Sequence, residues 1–282
     1  MRFTFRILAA TTLVAASTAA PAATTVLLED FTSASAASKF SQTLVGDGFA
    51  IYNYDYASTA TIPSAPSTTD STKRALRLEA NRGPVGVKSA INIYTNAVFS
   101  GNYRVTVDVY GYDADLAGST TELYLVGVNA SGTKTNNWFQ GGGLPADTDG
   151  YWFQNHIDGG DQNGFQEGGA AGSVTPGGIT WRDGITTQGA RDIGDLATSI
   201  FPPNGYLVNT WTTWDIIQNN GTTTFRANGA LIGTYTDTTF PSGKVLLGHE
   251  DSYASLKANN AFLFDNLKVQ TFTSGVNDWS IY

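Results

Sequence analysis

An all-β, antiparallel two-sheet sandwich is the fold class predicted for this 282-residue chain, and three observations carry the prediction. First, Asn219-Asn220-Gly221 and Asn228-Gly229 separate runs of strand-like character at Thr212 to Gln218, Thr222 to Ala227 and Ala230 to Tyr235. Asn-Gly is the strongest short-range hairpin signal, because both central turn residues need positive φ and these two adopt it at least cost. Second, runs with period-two alternation or β-branched and aromatic enrichment recur through the rest of the chain. Third, no ten-residue window carries a 3.6-residue apolar repeat, which excludes a βαβ plan and leaves a sandwich or barrel.

In chain order, strands are expected at Val26 to Phe31, Phe49 to Tyr56, Ala75 to Ala80, Gly86 to Tyr94, Tyr103 to Tyr112, Thr121 to Val128 and Tyr151 to Asp158. The three meander runs follow, then Lys244 to Asp251 and Ala261 to Val269, about twelve strands in all. Two stretches interrupt the pattern. Ser58 to Thr72 is a Ser/Thr/Pro-rich loop, and Gly159 to Pro203 is a long Gly-rich excursion with Phe165, Trp181 and Phe201 set into it. So long a segment without clear strands is either functional or an ordered surface excursion.

The N-terminus reads as a secretory signal. Met1 to Arg6 supplies positive charge, Ile7 to Ala20 is mostly apolar, and Ala20-Pro21-Ala22 fits a small-residue cleavage site. The apolar run is shorter than the roughly 20 residues a spanning helix needs. Residues 1–22 are therefore expected to be cleaved, 23–272 to form one jelly-roll domain, and 273–282 to be a C-terminal tail. The predicted location is extracellular or periplasmic, with no membrane span.

Loss of Arg2 and Arg6 takes the formal net charge from -8 to -10. So acidic a chain, without a basic run, is a poor partner for nucleic acid, polyanions or an anionic lipid surface. Cysteine is absent, which removes disulfides and thiolate metal sites. Hydrophobic content of 41% with 12% aromatics is that of a folded chain. Composition carries no signal for an oligomeric state.

Four elements resemble the concanavalin A-like lectin and glucanase superfamily, which includes laminin G-like modules. They are Leu28-Glu-Asp-Phe31, Trp211-Thr-Thr-Trp-Asp215 with Phe225 to Gly233, Val245 to His249, and Phe264-Asp-Asn-Leu-Lys-Val269. The likeness is specific only in the C-terminal third. It implies a jelly roll of two curved sheets, often with bound calcium and commonly with a role in binding or cutting polysaccharides. Functions on such a fold are diverse, so the chemistry has to come from particular residues.

A cation site is one candidate. Alternation places Leu263, Asp265, Leu267 and Val269 on one face, and a carboxylate among apolar neighbours needs a partner. Glu29 and Asp30 are within reach, because first and last strands are neighbours in the folds this chain resembles. Oxygen donors without thiols favour a structural Ca²⁺, with Glu29, Asp30 and Asp265 as ligands. The alternative is that Asp265 and Asn266 bond backbone groups or an arginine.

A carbohydrate site is the other. Trp152, Gln154, His156 and Asp158 share one face of their strand, opposite Tyr151, Phe153, Asn155 and Ile157. An aromatic face with donors and acceptors suits a sugar ring and its hydroxyls, although the same alternation describes any half-buried sheet. Arg104, Asp108 and Tyr110 form a polar face on theirs that would line the same groove, with Trp138 and Trp181 as loop platforms.

The paired carboxylates of the glucanases, Glu-x-Asp-x-Glu on one strand, do not occur, and Glu122 stands alone. Gln154-Asn-His156 and Arg77-Leu-Glu79 partly resemble elements of jelly-roll alginate lyases, but the Tyr-Phe-Lys strand of that pattern is missing. His249 is expected to be structural, bonded to a nearby carboxylate. Asn129-Ala-Ser131 and Asn220-Gly-Thr222 fit the glycosylation triplet. The expectation is an exported, non-catalytic domain that binds a polysaccharide or glycan. A glycan-active enzyme of the same fold and a structural surface or matrix protein are the alternatives.

Overall fold

The computed structural model describes residues 23–59, 62–69, 71–80, 82, 88–113, 122–137, 148–156, 164–168, 179–181, 191–192, 209–236, 239–251 and 260–273, with backbone alone at 155–156, 164–168, 179–181, 191–192 and 235. The strands are β1 (Thr24–Glu29), β2 (Phe40–Val45), β3 (Gly48–Asp55), β4 (Arg74–Ala80), β5 (Ser89–Thr95), β6 (Phe99–Ser100), β7 (Tyr103–Tyr112), β8 (Glu122–Ala130) and β9 (Tyr151–His156). They continue as β10 (Gly164–Gly168), β11 (Ile179–Trp181), β12 (Arg191–Asp192), β13 (Trp211–Asn219), β14 (Thr222–Ala227), β15 (Ala230–Tyr235), β16 (Ser242–Asp251) and β17 (Ala261–Thr271). Two short 3-10 turns, Ala34–Lys39 and Tyr56–Ser58, complete the described elements.

All described pairings are antiparallel and fall into two sheets. The first runs β11-β15-β14-β13-β7-β17-β4-β3, with β1 beside β17, and the second runs β12-β10-β9-β8-β16-β5-β2, with β6 beside β16. Chain neighbours are dealt across the two sheets, β2 and β3, β4 and β5, β7 and β8, β16 and β17, which is the jelly-roll arrangement. The C-terminal meander β13-β14-β15 forms as expected. Asn220 and Gly221 (φ 48° and 82°) and Asn228 and Gly229 (φ 48° and 79°) occupy the left-handed region that its two turns require.

One core lies between the sheets. It takes Val105, Val107 and Val109 of β7, Trp214 and Ile216 of β13, and Phe262, Phe264, Leu267 and Val269 of β17 from the first sheet. The second contributes Ile91 and Ile93 of β5, Tyr124, Val126 and Val128 of β8, Tyr151 and Phe153 of β9, and Val245 and Leu247 of β16. Trp214 stacks on Phe153 across the interface, ring centroids 6.2 Å apart, and donates its indole N–H to the Tyr124 hydroxyl at 2.9 Å.

Three differences from the sequence expectation have physical causes. β2 has little alternation to detect, since it is an edge strand with Phe40 buried and Gln42, Leu44 and Val45 exposed. Three short strands, β10 to β12, lie within the Gly-rich excursion. In β17, Asn266 takes φ 53° and the pairing with β7 slips between Asp265 and Lys268. That bulge inverts the alternation, so Leu267 and Val269 face the core while Leu263 and Asp265 face outward.

Candidate functional site

The outer face of the second sheet holds Trp152 and Gln154, both fully buried. Register places Gly248 opposite Asn92 on one side and Leu125 on the other, with Gln154 beyond Leu125. The next row along the strands is Tyr94, Leu246, Gly127 and Trp152. Tyr94, Leu125, Ala130, Trp152 and Leu246 pack as an apolar cluster of their own, separate from the main core.

The two mid-strand glycines make the arrangement possible. A Cβ at Gly127 would stand 2.6 Å from Trp152 Cβ, and one at Gly248 would stand 2.8 Å from Asn92 Nδ2. The stem of Trp152 and the Asn92 amide thus occupy the space that side chains would fill. The Tyr94 hydroxyl lies 3.0 Å from Asn92 Oδ1 and 2.8 Å from the Lys134 carbonyl oxygen, and Thr43 Oγ1 donates to that carbonyl at 2.7 Å. Burial and the nearby Asp149 carboxylate push the Tyr94 hydroxyl far above the ordinary range, so it is a permanent donor.

Against these satisfied groups, Trp152 Nε1 and Asn92 Nδ2 on this face are buried donors with no hydrogen-bond partner among the described residues. Such groups cost about 1–3 kcal/mol each, and native proteins contain few of them.

The outer face of the first sheet is different. β7 presents Arg104, Asp108 and Tyr110 there, as alternation predicts, but the core lies between this face and the one carrying Trp152. Trp152 and Gln154, expected to line one groove with these residues, therefore point away from them. Arg104 holds Asp215 through two parallel bonds of 2.7 and 2.8 Å. Tyr110 packs on Trp211, and both lie in a cluster with Tyr56, Ile62, Ala65 and Leu263.

Asp108 is fully buried and accepts from Ser67 N at 2.9 Å, Ser67 Oγ at 3.1 Å, Thr213 Oγ1 at 2.6 Å and Asn266 Nδ2 at 3.0 Å. Its cross-strand neighbour is Asp265, which accepts from Asn266 N at 2.7 Å and has Thr68 Oγ1 at 3.4 Å and the Tyr56 hydroxyl at 3.5 Å. Burial, then the negative charge of Asp108 and the more distant Asp30, push Asp265 up to about 7, against the Asn266 N–H bond that favours its ionised form. This pair anchors the 62–68 segment on the sheet.

The cation expected at Glu29, Asp30 and Asp265 is not matched by a ligand set. β1 does pair with β17 as anticipated, but Glu29 binds Lys39 Nζ at 2.6 Å and Phe31 N at 2.9 Å, and Asp30 Oδ1 caps Thr32 at 3.1 and 2.8 Å. Among the described residues no three His, Cys, Asp or Glu side chains are grouped to hold a metal ion.

The lyase-like elements do not converge either. Arg77 Nε bonds Glu79 Oε1 at 2.6 Å on β4 of the first sheet, whereas Gln154 is on the far face of the second. His156 stands opposite Leu123 in β9, and Trp181 opposite Gly233 in β11. Trp138 and Asp158 lie outside the described residues. Sequence reasoning missed Asn92, Tyr94, Gly127 and Gly248. An isolated glycine inside a strand pattern marks close approach of another group, and that was the available signal.

No protein-family model and no curated protein matches the chain. Among solved structures it is similar to a Bacillus subtilis protein of unknown function with a galectin-like fold, at 11% identity and TM-score 0.46 over 89% of this chain and 98% of that one. It is also similar to the Emp46p carbohydrate recognition domain in its metal-free form (9%, 0.45, covering 82% and 88%). A third is the VIP36 exoplasmic/lumenal domain in its Ca²⁺/Man3GlcNAc-bound form (12%, 0.44, covering 83% and 84%). At such identities no residue role carries over from them.

Proposed function

We propose that the protein is an exported, non-catalytic domain that binds a polysaccharide or glycan on the outer face of the second sheet, around Trp152, Asn92 and Gln154. The observation that supports this most is the pair of unpartnered buried donors, Trp152 Nε1 and Asn92 Nδ2. Sugar hydroxyl and ring oxygens are acceptors, and the apolar side of a pyranose suits the indole. A ligand oxygen meeting either donor removes a desolvation penalty, which favours the bound state.

Trp152 and Asn92 are shielded from solvent, so a ligand reaches them only after local rearrangement. Association is therefore expected below the 10⁵–10⁷ M⁻¹s⁻¹ of preformed sites. Export rests on the N-terminal signal pattern; no described helix is long and apolar enough to cross a membrane. The acidic charge, -8 for the whole chain, favours neutral over uronate-rich polymers.

The test is a panel of neutral and acidic polysaccharides and glycans, read by calorimetry and by release of reducing ends. Binding without product is expected. Product release would move the protein to the enzymes, and absence of binding across the panel would remove the proposal. The same panel run in EDTA and in calcium addresses the cation expected at Glu29, Asp30 and Asp265. Their existing bonds predict no change in binding or thermal midpoint, and a calcium-dependent rise in either would restore that site.

A further inference from the structure

Between the sheets, where β8 begins and β16 ends, two ionisable groups of the core touch. His249 on β16 and Glu122 on β8 are both fully buried, with His249 Nε2 at 2.9 Å from Glu122 Oε2. The other ring nitrogen, Nδ1, lies 3.1 Å from the carbonyl oxygen of Leu78, on β4 of the first sheet. Phe262 of β17 stands edge-on to the imidazole, centroids 4.7 Å apart. The ring is thus a polar bridge from one sheet to the other through an apolar layer.

The two contacts together fix the hydrogens. A carbonyl oxygen only accepts, so Nδ1 carries one. The gap between Nε2 and the carboxyl then needs a second, because a bare imidazole lone pair facing an ionised carboxylate would be two acceptors in contact. Burial pushes the imidazole down to about 4, outweighing the Leu78 carbonyl and the nearby Asp251 and Glu79 carboxylates, which favour its charged form. With a neutral ring already protonated at Nδ1, only the carboxyl can supply the second hydrogen.

We propose that Glu122 is kept as a neutral carboxylic acid donating to the neutral Nδ1–H form of His249, and that this one proton sustains a base-sensitive staple between the two sheets. If it is lost, the pair can satisfy one contact only. An ionised Glu122 demands an N–H at Nε2, which turns Nδ1 into an acceptor against the Leu78 carbonyl. Among the described residues, the charged groups around the ring are Asp251 on its own strand and Glu79 and Arg77 on β4, while β17 presents the Phe262 ring.

The sign of the pH effect follows from counting protons. Unfolded, Glu releases its proton near 4.3 and His near 6.5. Between those values the unfolded pair holds one proton, as the native pair does, and stability has no slope from this source. Above about 6.5 the unfolded pair holds none while the native pair still holds one, so stability falls as pH rises.

The chain has two histidines, so His156→Gln identifies the His249 signals in a ¹⁵N-imidazole spectrum. A neutral ring protonated at Nδ1, unchanged from pH 5 to pH 7.5, is expected. An imidazolium, or a ring protonated at Nε2, would overturn the proposal. Independently, Glu122→Gln replaces the shared proton with an amide N–H that does not titrate. The unfolding constant of the unsubstituted protein relative to this variant is expected to rise by up to about tenfold per pH unit above 6.5. Asp265 is common to both proteins and cancels in that ratio. Parallel pH profiles would overturn the staple, and if Glu122→Gln does not fold, the imidazole spectrum decides alone.

Discussion

The two outer faces of this sandwich are built from similar materials and differ in how the charged and donor groups at their centres are paired. On the first sheet, Asp108 receives four hydrogen bonds, Arg104 and Asp215 are paired at two points, and Asp265 is held by Asn266 and approached by Thr68 and Tyr56. On the second, Trp152 Nε1 and Asn92 Nδ2 are buried with no partner. A buried polar group that is satisfied within the chain is a structural element, whereas one left unsatisfied costs stability that a bound partner would recover. On the proposed function, the Asp108 face is architecture and the Trp152 face is where recognition takes place.

If that assignment holds, damage to the first face should be felt in folding alone. Asp108→Ala takes the charged, buried acceptor away from Ser67, Thr213 and Asn266, and a loss on the order of 3 kcal/mol is expected in urea unfolding, with glycan affinity of the folded protein unchanged. A large affinity change with little loss of stability would break the comparison. Next in size is a pH effect at Asp265. Its carboxyl is raised to about 7 in the fold against about 4 unfolded, so the native state holds the extra proton and stability falls as pH rises through that window. Asp265→Asn should flatten the profile between pH 4 and 7; an unchanged profile would show that the proton is not held there.

Substitutions on the second face should separate stability from binding. Gly127→Ala drives a methyl into Trp152 and the Tyr151 carbonyl, at 2.6 and 2.7 Å, and is expected to cost about 1–3 kcal/mol and to weaken glycan binding together. The control is Gly101, whose φ of +71° faces open space, so Gly101→Ala should cost about 1 kcal/mol and leave binding alone. For Trp152→Phe, loss of an unpartnered donor offsets part of the cavity left in a fully buried cluster, and a cost of about 1 kcal/mol is expected. Its affinity loss should be about three- to tenfold, the worth of one hydrogen bond.

Much of the fold was legible because its signals are local. The meander announces itself through Asn220-Gly221 and Asn228-Gly229, and alternation sorts Val105, Val107 and Val109 from Arg104 and Asp108 without reference to any other strand. What alternation cannot carry is which sheet a strand joins. Val105, Val107 and Val109 of β7 and Tyr151 and Phe153 of β9 face the core as alternation predicts, yet Arg104 and Asp108 lie on the opposite side of the molecule from Trp152 and Gln154. The Asp265 reading failed for a second reason. One left-handed residue, Asn266, shifts the phase of β17, so the carboxylate sits with Leu263 and not with Leu267. His249 was legible as structural, but its partner proved to be Glu122, 127 residues away, and not the adjacent Glu250 or Asp251.

The donor-rich second face is most directly examined through the indole N–H of Trp152, one of six tryptophans, identified in a ¹H–¹⁵N spectrum as the resonance missing from Trp152→Phe. Addition of a glycan that binds in calorimetry is expected to move that resonance to saturation with the same affinity, as the lone N–H acquires an acceptor. A Trp152 indole signal that stays in place while other residues report binding would contradict the assignment of recognition to this face.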